Sequence, residues 1–457
     1  MKHSALAIPE ATQLVFGRAP QPVECGFGLT IGGGQVYPEV NFTLPAITIS
    51  GDNWSKVVAH YEEMAKNILK RATSLHVPGI VLEFELLPAM TETPGWGAEI
   101  TALLRRHLRE AHEEHGLKSA LRVTPTDIRA QGKPLELRSG PAWEQLRRSF
   151  ELCIDAGADI ISIESVGGKE VHDPGLMYGD VRCIAFALGV LAPRDMAWLW
   201  GEITRMCDGS RKAVPGGDTA CGFANTAMQL AHQKMLPEVL AAVVRAMSAV
   251  RSLVAFEHGA VGPSKDCAYE GPVIKAITGC PISMEGKSAA CAHFSPIGNI
   301  AAAMCDLWSN ESVQNVRLLS GNAPEVFTEM LAYDCRLMNT ASASGGALTL
   351  RQWLVDSDKH LSPQAMVLSP QATIEIAKAI VGADSHYHAT VSAGLAAAGL
   401  LRECVDAGTL NLNKKEKGWL SRIERELHSL PGNEAELLAE MKETHAGAFN
   451  PACYGLP

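Results

Sequence analysis

The sequence predicts an α/β protein built as a (β/α)8 (TIM) barrel, with an N-terminal elaboration and extra C-terminal helices. Three observations predict it. Short apolar segments alternate with helical ones over much of the chain. The strand segments are almost continuously apolar, as a parallel sheet covered on both faces requires. The chain has 457 residues, enough for one elaborated barrel, and carries no G-x-G-x-x-G loop of a dinucleotide-binding open sheet.

The elements follow in order. Residues 1–45 are expected as the elaboration, because the stretch from 21 on is rich in glycine, proline and short apolar pieces. The barrel is expected over 46–400. Trp54 to Ser74 reads as a helix and GIVLEFELL (79–87) as a buried strand ended by Pro88. Gly97 to His115 reads as an amphipathic helix, and SALRVTPTDI (119–128) as the next strand. Ala142 to Gly157 is expected to be a helix stopped by its glycine. ADIISIES (158–165) is a β-branched strand running into Gly167 and Gly168. Asp180 to Cys207 carries one or two helices meeting at Pro193, and AVPGGDTACGFA (213–224) a strand that runs into a loop. Helices follow to about Val250, then the apolar segment LVAFEHGAVGP (253–263). Residues 401–457 are expected as a helical tail, so the whole chain 1–457 reads as a single domain.

Composition excludes several classes. Forty basic against fifty acidic residues give a formal charge of −10, the wrong sign for gripping nucleic acid. Hydrophobic residues make up 47% and charged residues 20%, which excludes a disordered chain. No signal peptide is expected at Met1 to Pro20. The uncharged apolar runs Cys183 to Pro193 and Val391 to Leu401 are short of the roughly 20 residues a membrane span needs. A cytoplasmic protein is expected. The twelve cysteines never come closer in sequence than the 11 residues from Cys280 to Cys291, so there is no C-x-x-C pair for a zinc finger or a redox couple.

In a parallel barrel, chemistry sits at the C-terminal strand ends and the loops after them. Glu164 ends ADIISIES, Cys221 lies in GGDTACGFANTAM, and Cys267 lies in GAVGPSKDCAYEGP after LVAFEHGA. One carboxylate and two thiolates are a catalytic zinc set that leaves a fourth position for substrate. Spacing alone does not separate this triple from two buried cysteines and a rim salt bridge from Glu164 to Lys169. Glu83, Glu85, Asp127 and Glu257 are acidic candidates at strand ends. Asp218, Asn225, Lys265 and Asp266 flank the cysteines and are expected to shape the loops or support the ligands. His112 and His115 are three apart and miss the H-E-x-x-H spacing. His386 and His388 read as hydrogen-bonded or solvated, and ASASGGA (341–347) as a flexible loop, with a lid as the second reading.

Three longer strings carry a resemblance: ISIESVGGKEVHDPGL (161–176), PGGDTACGFANTAM (215–228) and EHGAVGPSKDCAYEGPVIKAITGCPISMEGKSAACAH (257–293). With them the chain resembles the zinc-containing methanol–corrinoid methyltransferase family, its catalytic subunit. The resemblance implies a (β/α)8 barrel holding one Zn2+ per chain through Glu164, Cys221 and Cys267. It implies transfer of the methyl group of methanol to Co(I) of a corrinoid on a partner protein, with zinc as Lewis acid on the methanol oxygen. The corrinoid-binding protein would dock over the barrel mouth, and the subunit would form a homodimer within a larger complex. The residues by themselves also leave open a metal-free barrel lyase or decarboxylase, and a non-catalytic barrel that docks the corrinoid protein.

Overall fold

The computed structural model describes residues 1–44, 47–131, 135–209, 212–265, 267, 269–312, 317–319 and 321–457. A short antiparallel hairpin, β1 (Arg18–Cys25) and β2 (Leu29–Gly33), comes first. Seven parallel strands follow: β3 (Tyr37–Phe42), β4 (Gly79–Glu85), β5 (Lys118–Thr124), β6 (Ile160–Ile163), β7 (Val214–Asp218), β8 (Ser283–Glu285) and β9 (Leu307–Ser309). Their order in the sheet is β7-β6-β5-β4-β3-β9-β8. β9 beside β3 curls the sheet back on its first strand.

The segment 261–264 joins the two remaining edges. The Val261 N–H donates to the Pro215 carbonyl of β7 at 2.9 Å, and the Ser264 N–H to the Pro281 carbonyl at 3.2 Å. Ser264 also bridges Ile282 in parallel fashion. Pro263 has no N–H to give a ladder, and a Cβ at Gly262 would lie 2.6 Å from the Pro281 carbonyl oxygen. The eighth position of the expected barrel is therefore irregular chain, not a regular strand.

Two expectations are corrected here. The first barrel strand, Tyr37–Phe42, lies inside the stretch 1–45 read as an elaboration; it is buried throughout and pairs with β4 and β9. Pro38 and Asn41 disguised it. Residues 253–257 are the end of the helix Glu238–Glu257, not a strand-like segment. That helix is buried nearly all round, so its apolar run carries no amphipathic period.

Successive inward-facing residues are two apart along each strand, so the barrel interior is layered. At the bottom, Tyr37, Val81, Ala120, Ile160 and Leu307 pack with Leu29 and Ile31 of the hairpin, which plugs that end. One step up are Glu39, Glu83, Arg122 and Ser162. The Arg122 guanidinium donates to Glu39 Oε1 at 2.7 Å, to Ser162 Oγ at 2.7 Å and to the Pro263 carbonyl at 3.0 Å, bracing the barrel from inside. One step further are Asn41, Glu85, Thr124 and Glu164, at the mouth.

Helices cover the outside. The stretch from Val181 to Cys207 is one continuous helix with a π turn at Ala187–Leu191 just before Pro193, where the ring removes an N–H. That stretch and Glu238–Glu257 are long and apolar enough to cross a membrane, but 83% and 100% of their apolar windows are buried inside the protein. The C-terminal region is helical as expected: Pro370–Val381, His386–Asp406, Lys414–His428 and Glu434–Thr444.

Candidate metal centre

Glu164 follows the last residue of β6 and points inward by the two-residue step from Ser162. The loop behind it is pinned: Ser165 N–H donates to Asp218 Oδ1 (3.3 Å), Val166 N–H to Asp127 Oδ2 (3.1 Å) and Gly168 N–H to the Tyr454 hydroxyl (2.9 Å). Gly167 has no room for a side chain, since a Cβ there would lie 2.4 Å from Asp195. Cys221 opens a π-helical turn, Cys221–Asn225, that continues as the helix Thr226–His232. Its sulfur therefore sits at a helix N-terminus, where the peptide dipoles favour negative charge. The same turn brings Asn225 back over it, with Nδ2 3.7 Å from Cys221 Sγ. Cys267 stands in the loop after the irregular barrel segment, where Tyr269 takes a left-handed backbone (φ 60°) that turns the chain back toward the barrel.

The three side chains converge. Cys267 Sγ is 3.4 Å from Glu164 Oε1, and donor atoms of Glu164, Cys221 and Cys267 all lie within 4.8 Å of one another. Zinc takes sulfur at about 2.3 Å and carboxylate oxygen at about 2.0–2.2 Å, so tetrahedral donors stand roughly 3.5–3.8 Å apart. Two sulfurs and one oxygen at these separations could hold such an ion. Both thiols are poor anions until a cation arrives. The hydrogen bond with Cys267 pulls the Cys221 thiol down, but burial and the charges of Glu164 and Glu285 outweigh it and push it up to about 12. Burial, then the neighbouring Cys221 and the same two carboxylates, hold Cys267 well above the ordinary thiol range.

Lys265 organises the carboxylates beneath. It is 3% exposed, and Nζ lies 2.7 Å from Glu83, 2.5 Å from Glu85 and 3.7 Å from Glu164. Glu85 also accepts from Asn41 Nδ2 at 3.1 Å, and Glu83 from Thr124 Oγ1 at 3.1 Å. The lysine facing Glu164 is thus Lys265, not Lys169, which bonds Asp173 and the Gly222 carbonyl. Asp266 lies outside the described residues. A cleft of about 300 Å³ opens beside Glu164, walled by Leu86, Leu87 and Val166 and edged by Glu85, Asp127 and Lys169.

Other candidates go elsewhere. Asp127 and Asp195 together clamp the buried Arg129 at 2.7 and 2.8 Å. Glu257 ends its helix at the opposite end of the barrel, because a crossover helix runs antiparallel to the strands; it bonds His386 Nε2 and the Lys2 N–H, both at 2.7 Å. Asp218 is buried beneath the site, 3.4 Å from Arg251 and 3.3 Å from the Trp200 indole nitrogen. His112 bonds the Leu117 carbonyl and stacks on Phe27 beside the plugged end. His386 and His388 begin a helix. The turn at 344–346 follows a helix end that Asn339 ties to Val36, below the start of β3, so it is no lid over the mouth. Sequence reasoning missed Glu285, the last residue of β8, which is 4% exposed and close enough for its charge to act on both thiols. Its strand is only three residues long, Ser283–Glu285, too short to show a period in the sequence.

Residues 1–455 match the family model described as methanol-cobalamin methyltransferase B subunit. The chain is 35% identical over 461 residues to the methanol–corrinoid protein co-methyltransferase of Methanosarcina barkeri, covering 99% of each. It superposes with a TM-score of 0.95 on a chain in the crystal structure of the methanol:cobalamin methyltransferase complex MtaBC from Methanosarcina barkeri, again at 35% identity and covering 99% of both chains. With a full-length family match and end-to-end similarity in sequence and fold, the chain belongs to the methanol-cobalamin methyltransferase B subunit family.

Proposed function

We propose that this chain transfers the methyl group of methanol to the cobalt of a corrinoid carried by a separate protein, using a zinc ion held by Glu164, Cys221 and Cys267. The observation that carries the reading is the convergence of these three side chains beside a small cleft at the barrel mouth. Bound zinc supplies Lewis acidity toward the alcohol oxygen. In the transfer the C–O bond breaks, a C–Co bond forms with the electron pair of Co(I), and the oxygen leaves as water after taking a proton.

The chain's residues hold and shield that exchange. Asn225 orients Cys221 from the side, and Lys265 keeps Glu83 and Glu85 paired so that their charges do not oppose the thiolates unbalanced. Of the four acidic candidates, Glu85 and Asp127 line the cleft. Asp127 is clamped by Arg129 and Glu85 is paired with Lys265, so Glu85 together with its lysine is the pair placed to pass a proton to the departing oxygen. Leu86, Leu87 and Val166 give the cleft an apolar wall suited to a methyl group.

The corrinoid-binding protein docks over the mouth, since its cobalt must approach the methyl from the side opposite the oxygen. Homodimer contact is assigned to the outer helices Ala323–Ala343 and Ala347–Asp358, where Met330, Tyr333, Leu337, Leu348 and Trp353 are exposed; apolar patches of this kind mark protein interfaces. All twelve cysteines are free thiols, in keeping with a reducing cytoplasm. The test is removal of the metal with a chelator in the presence of reduced corrinoid protein and methanol. Methyl transfer should stop and should return on adding zinc; transfer that continues unchanged without metal overturns the reading.

A further inference from the structure

The tail carries a second group of metal-ligating side chains, on the outside of the barrel and separate from the mouth. Asp180 caps the helix Val181–Phe186, accepting from the Arg182 and Cys183 N–H groups. Its other oxygen, Oδ2, lies 3.4 Å from Cys183 Sγ. His445, just past the helix Glu434–Thr444, places Nε2 3.3 Å from the same sulfur. Donor atoms of all three lie within 4.8 Å of one another.

The proton count is the informative feature. The ring nitrogen Nδ1 of His445 is 2.8 Å from Thr444 Oγ1, and donating there leaves a lone pair on Nε2. Asp180 Oδ2 and Cys183 Sγ bring further lone pairs. A single proton, that of the thiol, is then shared among three acceptor atoms. A divalent ion satisfies all three and releases that proton to solvent. Two of the three ligands also have the outer partner that metal sites use to fix orientation: Thr444 for the imidazole, and the helix N–H groups for the carboxylate. A cleft of about 360 Å³ reaches Asp180 from solvent. The two arginines on its walls are themselves paired, Arg182 with Glu440 and Arg422 with Glu426.

We propose that Asp180, Cys183 and His445 form a second divalent-metal site, suited to zinc, that fastens the C-terminal tail to the barrel. One sulfur, one nitrogen and one oxygen are a borderline-soft set, which favours zinc over magnesium or calcium. Cys183 is 4% exposed and sits in a small core with Phe186, Leu437, Leu438 and Met441, so the ion would lock packing that already exists. The fastening reaches the mouth. Beyond His445 the tail carries Tyr454, whose hydroxyl accepts the Gly168 N–H and donates to Glu170, bracing the loop that follows Glu164. Zinc bound at the tail would steady Glu164 from behind.

The test is the zinc content of the full-length protein, equilibrated with zinc against a weak competing chelator. Two ions per chain are expected in the wild type, one in Cys183→Ser, one in His445→Gln and one in Cys221→Ala. Equal zinc content in wild type and Cys183→Ser overturns the proposal. One ion that is lost in Cys183→Ser but kept in Cys221→Ala would instead sink the mouth site and leave this one standing. Cobalt(II) reads the same site without zinc. In a Cys221→Ala, Cys267→Ala background, a thiolate-to-cobalt charge-transfer band should remain and should vanish when Cys183→Ser is added; its absence before that change also overturns the proposal.

Discussion

Cys267 Sγ and Glu164 Oε1 lie 3.4 Å apart although 103 positions separate them in the chain. The barrel makes the meeting possible, because it brings the end of β6 and the loop after the irregular eighth segment to one rim. The contact places a carboxylate oxygen and a thiol at the separation of two ligands of one ion, and the consequences of that can be measured.

Glu164→Gln removes a charged side chain of the proposed centre without removing a packing group, since the side chain is 36% exposed. Zinc affinity at the mouth should fall at least ~10-fold, because even outer partners of ligands are worth about 10–100-fold. The metal-free protein should unfold at nearly the same denaturant concentration as wild type. Competition with a chelator and urea titration measure the two quantities, and equal losses in both would point to a structural role for Glu164.

Lys265→Met should act in the opposite way. It leaves Glu83, buried in the barrel, and Glu85 without their shared cation. Removing one member of a buried charged cluster costs about 3–5 kcal/mol. Urea unfolding should show that loss, and the added change Glu83→Gln should recover part of it. A Lys265→Met protein as stable as wild type would show that the lysine does not hold the carboxylates together.

Acid should probe the far end of the barrel. Burial alone would raise the Glu257 carboxyl, but the hydrogen bond and charge of His386, with the Lys2 N–H and the chain's terminal ammonium, outweigh it and hold it at about 2 instead of 4.5. A folded value below the unfolded one gives stability that is present above about pH 4.5 and lost as pH falls toward about 2. Denaturant unfolding across this window should show a shallower decline for Glu257→Gln than for wild type. Identical slopes would mean that Glu257 gives no pH-dependent stability.

The cleft wall sets a limit on substrate size. One extra methylene in a small apolar pocket changes transition-state binding by about 1–3 kcal/mol, so ethanol should alkylate cobalt roughly 10–200-fold more slowly than methanol. Leu86→Ala should narrow that ratio. Rates measured with the two alcohols on the same corrinoid protein decide it, and an unchanged ratio would place the methyl group elsewhere.

Much of the barrel could be read from periodicity, because buried parallel strands such as 79–85 and 160–163 are nearly pure apolar runs. Tyr37–Phe42 was hidden by its proline and asparagine, and the eighth segment by Gly262 and Pro263, which break regular pairing. The polar interior was visible only in isolated residues: Arg122 within an apolar strand makes sense once Glu39 and Ser162 face it across the barrel. Glu164 was legible as the residue ending a strand, whereas the partnership of Cys221 with Cys267 came from resemblance, since loops carry no period. Lys265 as the hub of three carboxylates, and Glu285 beside the thiols, depend on which strands become neighbours when the sheet closes, and no local pattern records that.

The most direct measurement follows the cobalt spectrum after mixing the protein with a reduced corrinoid protein and methanol. Wild type and Cys183→Ser should both give a methanol-dependent methyl-cobalt signal, and Cys221→Ala should give none. Absence of the signal with wild-type protein, or an undiminished signal in Cys221→Ala, would contradict the assignment of methyl transfer to the Glu164–Cys221–Cys267 centre.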